Sequence, residues 1–189
     1  MGTDAVARAF EQVPRADFLP RRLRTRAAYD GPLDIGHGQT NSQPRTVADM
    51  LRLLAVEPGQ RVLDVGSGSG WTTALLAHLV GPTGVVYGVE LEPDLVAFGR
   101  ANIEGLAQAS IRQALPHVLG LPNLAPYDRI LVSAEPATLP QELVDQLGSP
   151  GRMVIPVAGR MTLVLRDDTG VRTSEHGLYR FVPLRTTTP

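Results

Sequence analysis

Two acids and a run of glycines carry the clearest chemistry in this sequence. The segment LDVGSGSGW, Leu63 to Trp71, leaves a short apolar run, turns on Gly66, Gly68 and Gly70, and enters a helix-like pattern. A glycine turn at a helix start lets a ligand approach the backbone closely. On its own, such a turn serves dinucleotides, other nucleosides or packing alone. A dinucleotide fingerprint counted from Gly66 needs a glycine at position 71, where this chain has Trp71, a ring that would crowd a pyrophosphate. Asp64, on the strand end, is an acceptor suited to an ammonium group rather than a phosphate. Glu90 ends VVYGVE, 24 positions after Gly66, and is placed to accept both hydroxyls of a ribose. With Ser67, Ser69 and Leu91 as further contacts, these residues read as a site for S-adenosyl-L-methionine, a nicotinamide cofactor being the rival.

A second stretch, GHGQTNSQP from Gly36 to Pro44, is too rich in loop formers for a strand or helix core. His37, Gln39 and Ser42 are its candidate substrate contacts. A carboxylate substrate with a pKa near ~4 is ionised at neutral pH, so no general base is required to make the nucleophile. Alignment and desolvation remain, and a serine hydroxyl can hold one carboxylate oxygen without trapping the anion as an arginine would. Ser42 has a rival role as a helix cap, although Gln43 is the closer cap if Pro44 is the first helical residue. For His37 a substrate contact and a local turn role both stay open.

These residues need elements to position them. From residue 44 to about 157 helix-like and strand-like patterns alternate. PRTVADMLRLLAV is a helix with Val47, Met50, Leu51 and Leu54 on one face, followed by the strand RVLDVG, the helix WTTALLAHLV and the strand VVYGVE. The helix PDLVAFGRANIEGL, a short segment around Ile111, the strand YDRILVSA, the helix LPQELVDQL and the strand GRMVIPVA come next. The tail places an Asp-Thr-Gly turn between two strand-like runs, as in an antiparallel hairpin. The expected fold is therefore α/β: a doubly wound, mostly parallel sheet with helices on both faces and antiparallel C-terminal strands. We expect one domain over residues 1–189, with a covering segment at 1–43, a cofactor-binding core at 44–157 and C-terminal strands at 158–189.

Composition narrows the classes further. A chain of 189 residues with 43% hydrophobic residues can bury a core of its own. There is no cysteine, which removes thiol nucleophiles and cysteine metal sites, and all 18 basic residues are arginine, which removes Schiff-base and phosphate-loop lysines. A net charge of -1 gives no reason to expect nucleic acid. Within RRLRTR, Arg21 to Arg26, a solvated helix end is the reading, with an anion patch as alternative. No apolar run approaches the ~18 residues of a membrane helix, and MGTDAVARAF has charges where an export signal needs apolar residues. A cytoplasmic monomer is expected, with neither nucleic acid nor membrane as partner.

VPRADFLP, GHGQTNSQP, LDVGSGSGW, YDRILVSA, GRMVIPV and RFVPL, spread over nearly the whole chain, resemble the protein-L-isoaspartate O-methyltransferases. The glycine loop is common among methyltransferases, whereas GHGQTxSQP is particular to this family. The resemblance implies a Rossmann-like methyltransferase fold, S-adenosyl-L-methionine as methyl donor, and a protein or peptide carrying an L-isoaspartyl residue as substrate. It also implies that the loop around Ser42 lies over the donor and that Ser42 acts at the substrate carboxylate. The ester then closes to a succinimide that can hydrolyse to aspartate, a repair. The chain departs from the pattern in three places. The family's Gly-Asp-Gly acid after the third strand is missing at Ala114, Leu115 and Pro116; Asn41 replaces an aliphatic residue; Trp71 replaces a tyrosine. These leave open a methyltransferase tailoring one dedicated peptide, or a donor-binding protein without transfer.

Overall fold

A computed structural model describes residues 4–187, and the outermost positions of the expected 1–189 unit lie outside them. The chain opens with α1 (Ala5–Gln12), capped by the Asp4 carboxylate accepting from Val6 N at 3.0 Å. Two 3₁₀ turns follow, Arg15–Phe18 and Arg21–Arg26. The second is exposed, as expected of a solvated arginine-rich helix end. A small antiparallel hairpin of β1 (Leu33–Gly36) and β2 (Gln39–Asn41) comes next, turning at His37 and Gly38. This corrects the reading of Gly36 to Pro44 as loop throughout. The strand-forming alternation begins upstream at buried Leu33 and Ile35, and polar β2 is recruited by pairing rather than by propensity.

α2 (Pro44–Leu54) carries Pro44 in its first turn and buries Val47, Met50, Leu51 and Leu54, the face read from their spacing. β3 (Arg61–Val65), α3 (Trp71–Val80), β4 (Val85–Glu90), α4 (Pro93–Asn102), β5 (Ala109–Gln113) and β6 (Tyr127–Val132) then wind a parallel sheet. β3 lies between β4 and β6, and Val62 to Val65 are all buried, the signature of a strand covered on both faces. α3 buries every residue except His78, so it reads as uniformly apolar because it is a core helix.

α5 is shorter than LPQELVDQL suggested, covering Gln141–Asp145, because β7 (Leu147–Val157) already pairs Leu147 with Tyr127. β8 (Arg160–Asp167) and β9 (Gly170–Leu178) add antiparallel strands, giving one sheet in the order β5-β4-β3-β6-β7-β8-β9. The boundary expected at residue 157/158 falls in the tight turn between β7 and β8. Among the described residues no helix is long and apolar enough to cross a membrane. Chain winding reverses at β3, so a crevice opens beyond the carboxyl ends of β3, β4 and β6, where such sheets bind ligands.

Candidate active site

The glycine loop leaves β3 under tight control. Gly66 N and Ser67 N both donate to Val89 O of β4, at 2.9 and 3.1 Å, and Gly70 N donates to Ser67 O at 2.8 Å. Gly68 has φ +50°, and a Cβ there would stand 3.2 Å from Ile35 Cδ1, so the β1–β2 hairpin lies against the loop. Gly70, φ +85°, caps α3, and a Cβ would come 3.0 Å from the Gly99 carbonyl of α4. It is thus a packing position, outside the cavity lining where a cofactor contact was expected. The positive φ and the close approach of α4 both favour glycine there.

The two acids divide their roles. Glu90 is 7% exposed and lines the cavity. Its Oε2 accepts from Gly68 N at 2.9 Å, and its Oε1 accepts from Leu91 N at 2.6 Å and Glu92 N at 3.0 Å. Three backbone donors therefore fix its orientation while lone pairs remain for hydroxyl donors. Asp64, expected to face the ligand, is fully buried and outside the lining. Its Oδ2 accepts from the hydroxyls of Thr72 at 2.8 Å and Thr73 at 2.7 Å. The strand end points it under the start of α3, so Thr72, which does line the cavity, stands between. Asp64 Oδ1 and Ser67 Oγ are buried without a partner, so polar capacity is left unused beside the loop.

Burial pushes the Asp64 carboxyl up to about 6, against the pull of the two threonine hydroxyls and helped by the Glu90 charge. Its folded value lies above its ordinary one, so it favours the folded state when protonated, below about pH 4, and loses that contribution as pH rises through about 6. Relative to Asp64→Asn, the wild-type chain is expected to lose about 2 kcal/mol of stability between pH 4 and pH 7. Urea unfolding of both proteins at the two pH values checks this; parallel curves would mean that Asp64 stays ionised throughout.

The cavity opens in part to solvent, and its non-atom space with that open part included is about 870 Å³. Gly66, Ser67, Gly68, Ser69, Glu90 and Leu91 line it on the sheet side, and Gln39 and Ser42 from the hairpin side. Glu90 is the one acid among the described lining residues. The end nearest β5 is walled by the apolar side chains of Ala114, Val118 and Leu119. RFVPL returns here as a wall: Val182 O accepts from Glu135 N and Leu184 N donates to Glu135 O, both at 2.8 Å, placing Val182, Pro183 and Leu184 along the cavity.

A groove lined by Arg45, Tyr179 and Phe181 adjoins the cavity, and Thr40, Ser42, Ser133 and Val182 border both. Ser42 is not the cap of α2, which is Gln43. His37 sits outside the lining, on the turn at φ +56°, with Nε2 3.1 Å from Asp94 Oδ2 and Nδ1 3.8 Å from Glu92 Oε2. It joins the hairpin to the start of α4, in keeping with the local turn role left open for it. Glu92 in turn meets Arg185 at 2.9 Å.

Two residues were not singled out from the sequence. Ser133 directly follows β6, the strand beside β3, where the winding of the sheet reverses, and that position was its signal. Arg15, inside VPRADFLP, is 6% exposed and donates six hydrogen bonds, to Asn41 Oδ1 and to the carbonyls of Ala27, Tyr29, Gly31, Asn41 and Ser42. Its guanidinium lies 5.5 Å from the Trp71 ring centroid, and the Trp71 indole donates to Val13 O at 3.1 Å. Trp71 thus anchors the N-terminal segment on α3. An arginine amid apolar residues was the available signal, since a buried charge must be richly bonded.

A model of the protein-L-isoaspartate(D-aspartate) O-methyltransferase family matches residues 1–188. The chain is 43% identical to the protein-L-isoaspartate O-methyltransferase of Methanocella arvoryzae, covering 92% of this chain and 95% of that one. It is 44% identical to the one of Methanopyrus kandleri, covering 96% and 84%. A solved protein-L-isoaspartate O-methyltransferase superposes with TM-score 0.86 at 26% identity, covering 98% of this chain, which spans 62% of that longer one. A Plasmodium falciparum structure described as a protein-L-isoaspartate O-methyltransferase in complex with S-adenosyl-L-homocysteine gives TM-score 0.86 at 28% identity, covering 99% and 93%. Matched along nearly its whole length in sequence and in fold, the chain belongs to the protein-L-isoaspartate(D-aspartate) O-methyltransferase family.

Proposed function

We propose that this chain binds S-adenosyl-L-methionine in the cavity beyond β3, β4 and β6 and methylates the free α-carboxylate of L-isoaspartyl residues in proteins or peptides. The observation that carries this reading is the shared border: Thr40, Ser42, Ser133 and Val182 line both the cavity and the adjoining groove. A small donor on one side and a peptide on the other would meet there. The residues present fit the donor. Glu90 offers oriented acceptors to a ribose, the glycine loop exposes backbone, and the end at Ala114, Val118 and Leu119 offers an apolar clasp for a purine.

The donor, when bound, supplies an electrophilic methyl group on a sulfonium. The chain has no need to deprotonate the nucleophile, because the substrate carboxylate is already ionised at neutral pH. Ser42 and Ser133 supply hydroxyl donors that hold one carboxylate oxygen and leave the lone pair of the other free to attack. Ile35, Val182 and Leu184 exclude water around the anion, which strengthens its attraction to a cationic donor.

Ser42→Ala is expected to lower kcat by on the order of 10²-fold while donor affinity stays near wild type, with a smaller loss for Ser133→Ala. Steady-state assays on an isoaspartyl peptide, with calorimetry of donor binding, read both; unchanged turnover in Ser42→Ala would remove that serine from the transfer step. The function itself is tested by methyl transfer from labelled donor to matched peptides containing L-isoaspartate or L-aspartate. Transfer to the isoaspartyl peptide alone supports the reading. Transfer to the aspartyl peptide, or donor binding without transfer, overturns it.

A further inference from the structure

Asn41 is 4% exposed, and a primary amide at that depth needs partners at both ends. Its Oδ1 accepts from Arg15 Nε at 2.6 Å, and its Nδ2 donates to Ser69 Oγ at 3.1 Å. The amide has only one orientation open to it. A guanidinium can donate but never accept, so the oxygen must face Arg15 and the NH₂ must face Ser69. Ser69 is itself 2% exposed and pinned from the other side, its carbonyl accepting from Asn102 Nδ2 at 2.9 Å. Arg15 Nη2 also takes the carbonyls of Asn41 and Ser42, at 3.0 and 2.9 Å. A continuous bonded chain thus runs from α4 through the glycine loop and the Asn41 side chain to the backbone of Ser42.

We propose that Asn41 and Ser69 are positioning residues, holding Ser42 in register with the glycine loop so that the donor side and the substrate side of the cavity are set by one rigid connection. The proposal rests on the methyl-transfer reading for its consequence in catalysis, and on geometry alone for the connection. The bond is short in space but joins residues 28 apart in sequence, so nothing local would hold β2 to the loop in its absence. Apolar contact between Ile35 and Gly68 presses the hairpin on the loop without fixing where along it Ser42 sits. A directional bond does fix that, and misplacement by about 1 Å costs on the order of 10²-fold in rate.

Three variants test this. Ser69→Ala cuts the connection without touching Arg15; Asn41→Leu removes both bonds; Asn41→Asp keeps an acceptor for Arg15 and gives the Ser69 hydroxyl an oxygen to which it can donate. In the ligand-free protein, hydrogen exchange at residues 39–42 is expected to quicken in Ser69→Ala and Asn41→Leu while β7 and β8 stay protected, and to return toward wild type in Asn41→Asp. On isoaspartyl peptide, kcat is expected to fall by on the order of 10²-fold in the first two with peptide KM little changed. The double variant Asn41→Leu/Ser69→Ala should be no worse than Asn41→Leu alone. Unchanged exchange at 39–42 in Ser69→Ala, additive losses in the double variant, or a loss confined to KM would overturn the proposal. A wild-type chain inactive on isoaspartyl peptide would count against the function alone, because the exchange measurement judges the connection without turnover.

Discussion

Glu90→Ala is expected to weaken binding of S-adenosyl-L-homocysteine by more than a hundredfold. Two effects add. Hydrogen bonds from neutral donors to a charged acceptor are worth about 1.5–3 kcal/mol each, and loss of two from a ribose already exceeds the ~2.7 kcal/mol that a hundredfold requires. The carboxylate also gathers Gly68 N, Leu91 N and Glu92 N, so its removal frees the glycine loop and the start of α4 together. Glu90→Gln separates the two effects. Its amide keeps one acceptor oxygen but turns an NH₂ toward a backbone N–H, so it should bind more weakly than wild type and more tightly than alanine. Calorimetric titration of the three proteins gives the order. Affinity within a few-fold of wild type in Glu90→Ala would take Glu90 out of the donor site.

The parts of this site that were legible in the sequence are those in which one short segment makes its own structure. VVYGVE ends in Glu90 because a buried parallel strand stops where its chain must turn, and the same rule put the glycines after β3. Asp64 shows the limit: its position on the strand was readable, but the direction of its side chain depends on Thr72 and Thr73 one turn into α3. For His37 the turn role was readable as one of two alternatives, but its contacts to Asp94 and Glu92 follow from a positive φ on the hairpin turn and from the packing of α4. The hairpin and the Arg15 network were out of reach for a different reason. The hairpin pairs are local, but its polar second strand carries no strand signal, while the bonds that tie Asn41 and Ser42 to Arg15 and Ser69 join residues 26 to 28 apart and form only when the closed fold brings these segments together. The C-terminal strands were visible as strands, but their place beside β7 is decided by a register over Gly151 to Val157 that alternation alone does not encode.

Arg15→Met is expected to be the most destabilising single change near the site, by about 3–5 kcal/mol. None of the six acceptors around this guanidinium is a carboxylate; five are backbone carbonyls, from Ala27, Tyr29, Gly31, Asn41 and Ser42. Desolvation pushes the group down to about 10, with only a counteracting pull from Asp30, yet it stays charged at neutral pH. A methionine fills similar volume but donates nothing, and each buried carbonyl left unsatisfied costs about 1–3 kcal/mol. Arg15→Lys should recover only part of the loss, because an ammonium has three donors and no planar fork to serve both the 27–31 turn and the 41–42 backbone. Urea unfolding of the three proteins, with m unchanged, measures the series. A loss below about 1 kcal/mol in Arg15→Met would show that water reaches those carbonyls. The N-terminal segment would then be a hydrated cover over Trp71, and the rigidity of Ser42 would have to come from Asn41 and Ser69 alone.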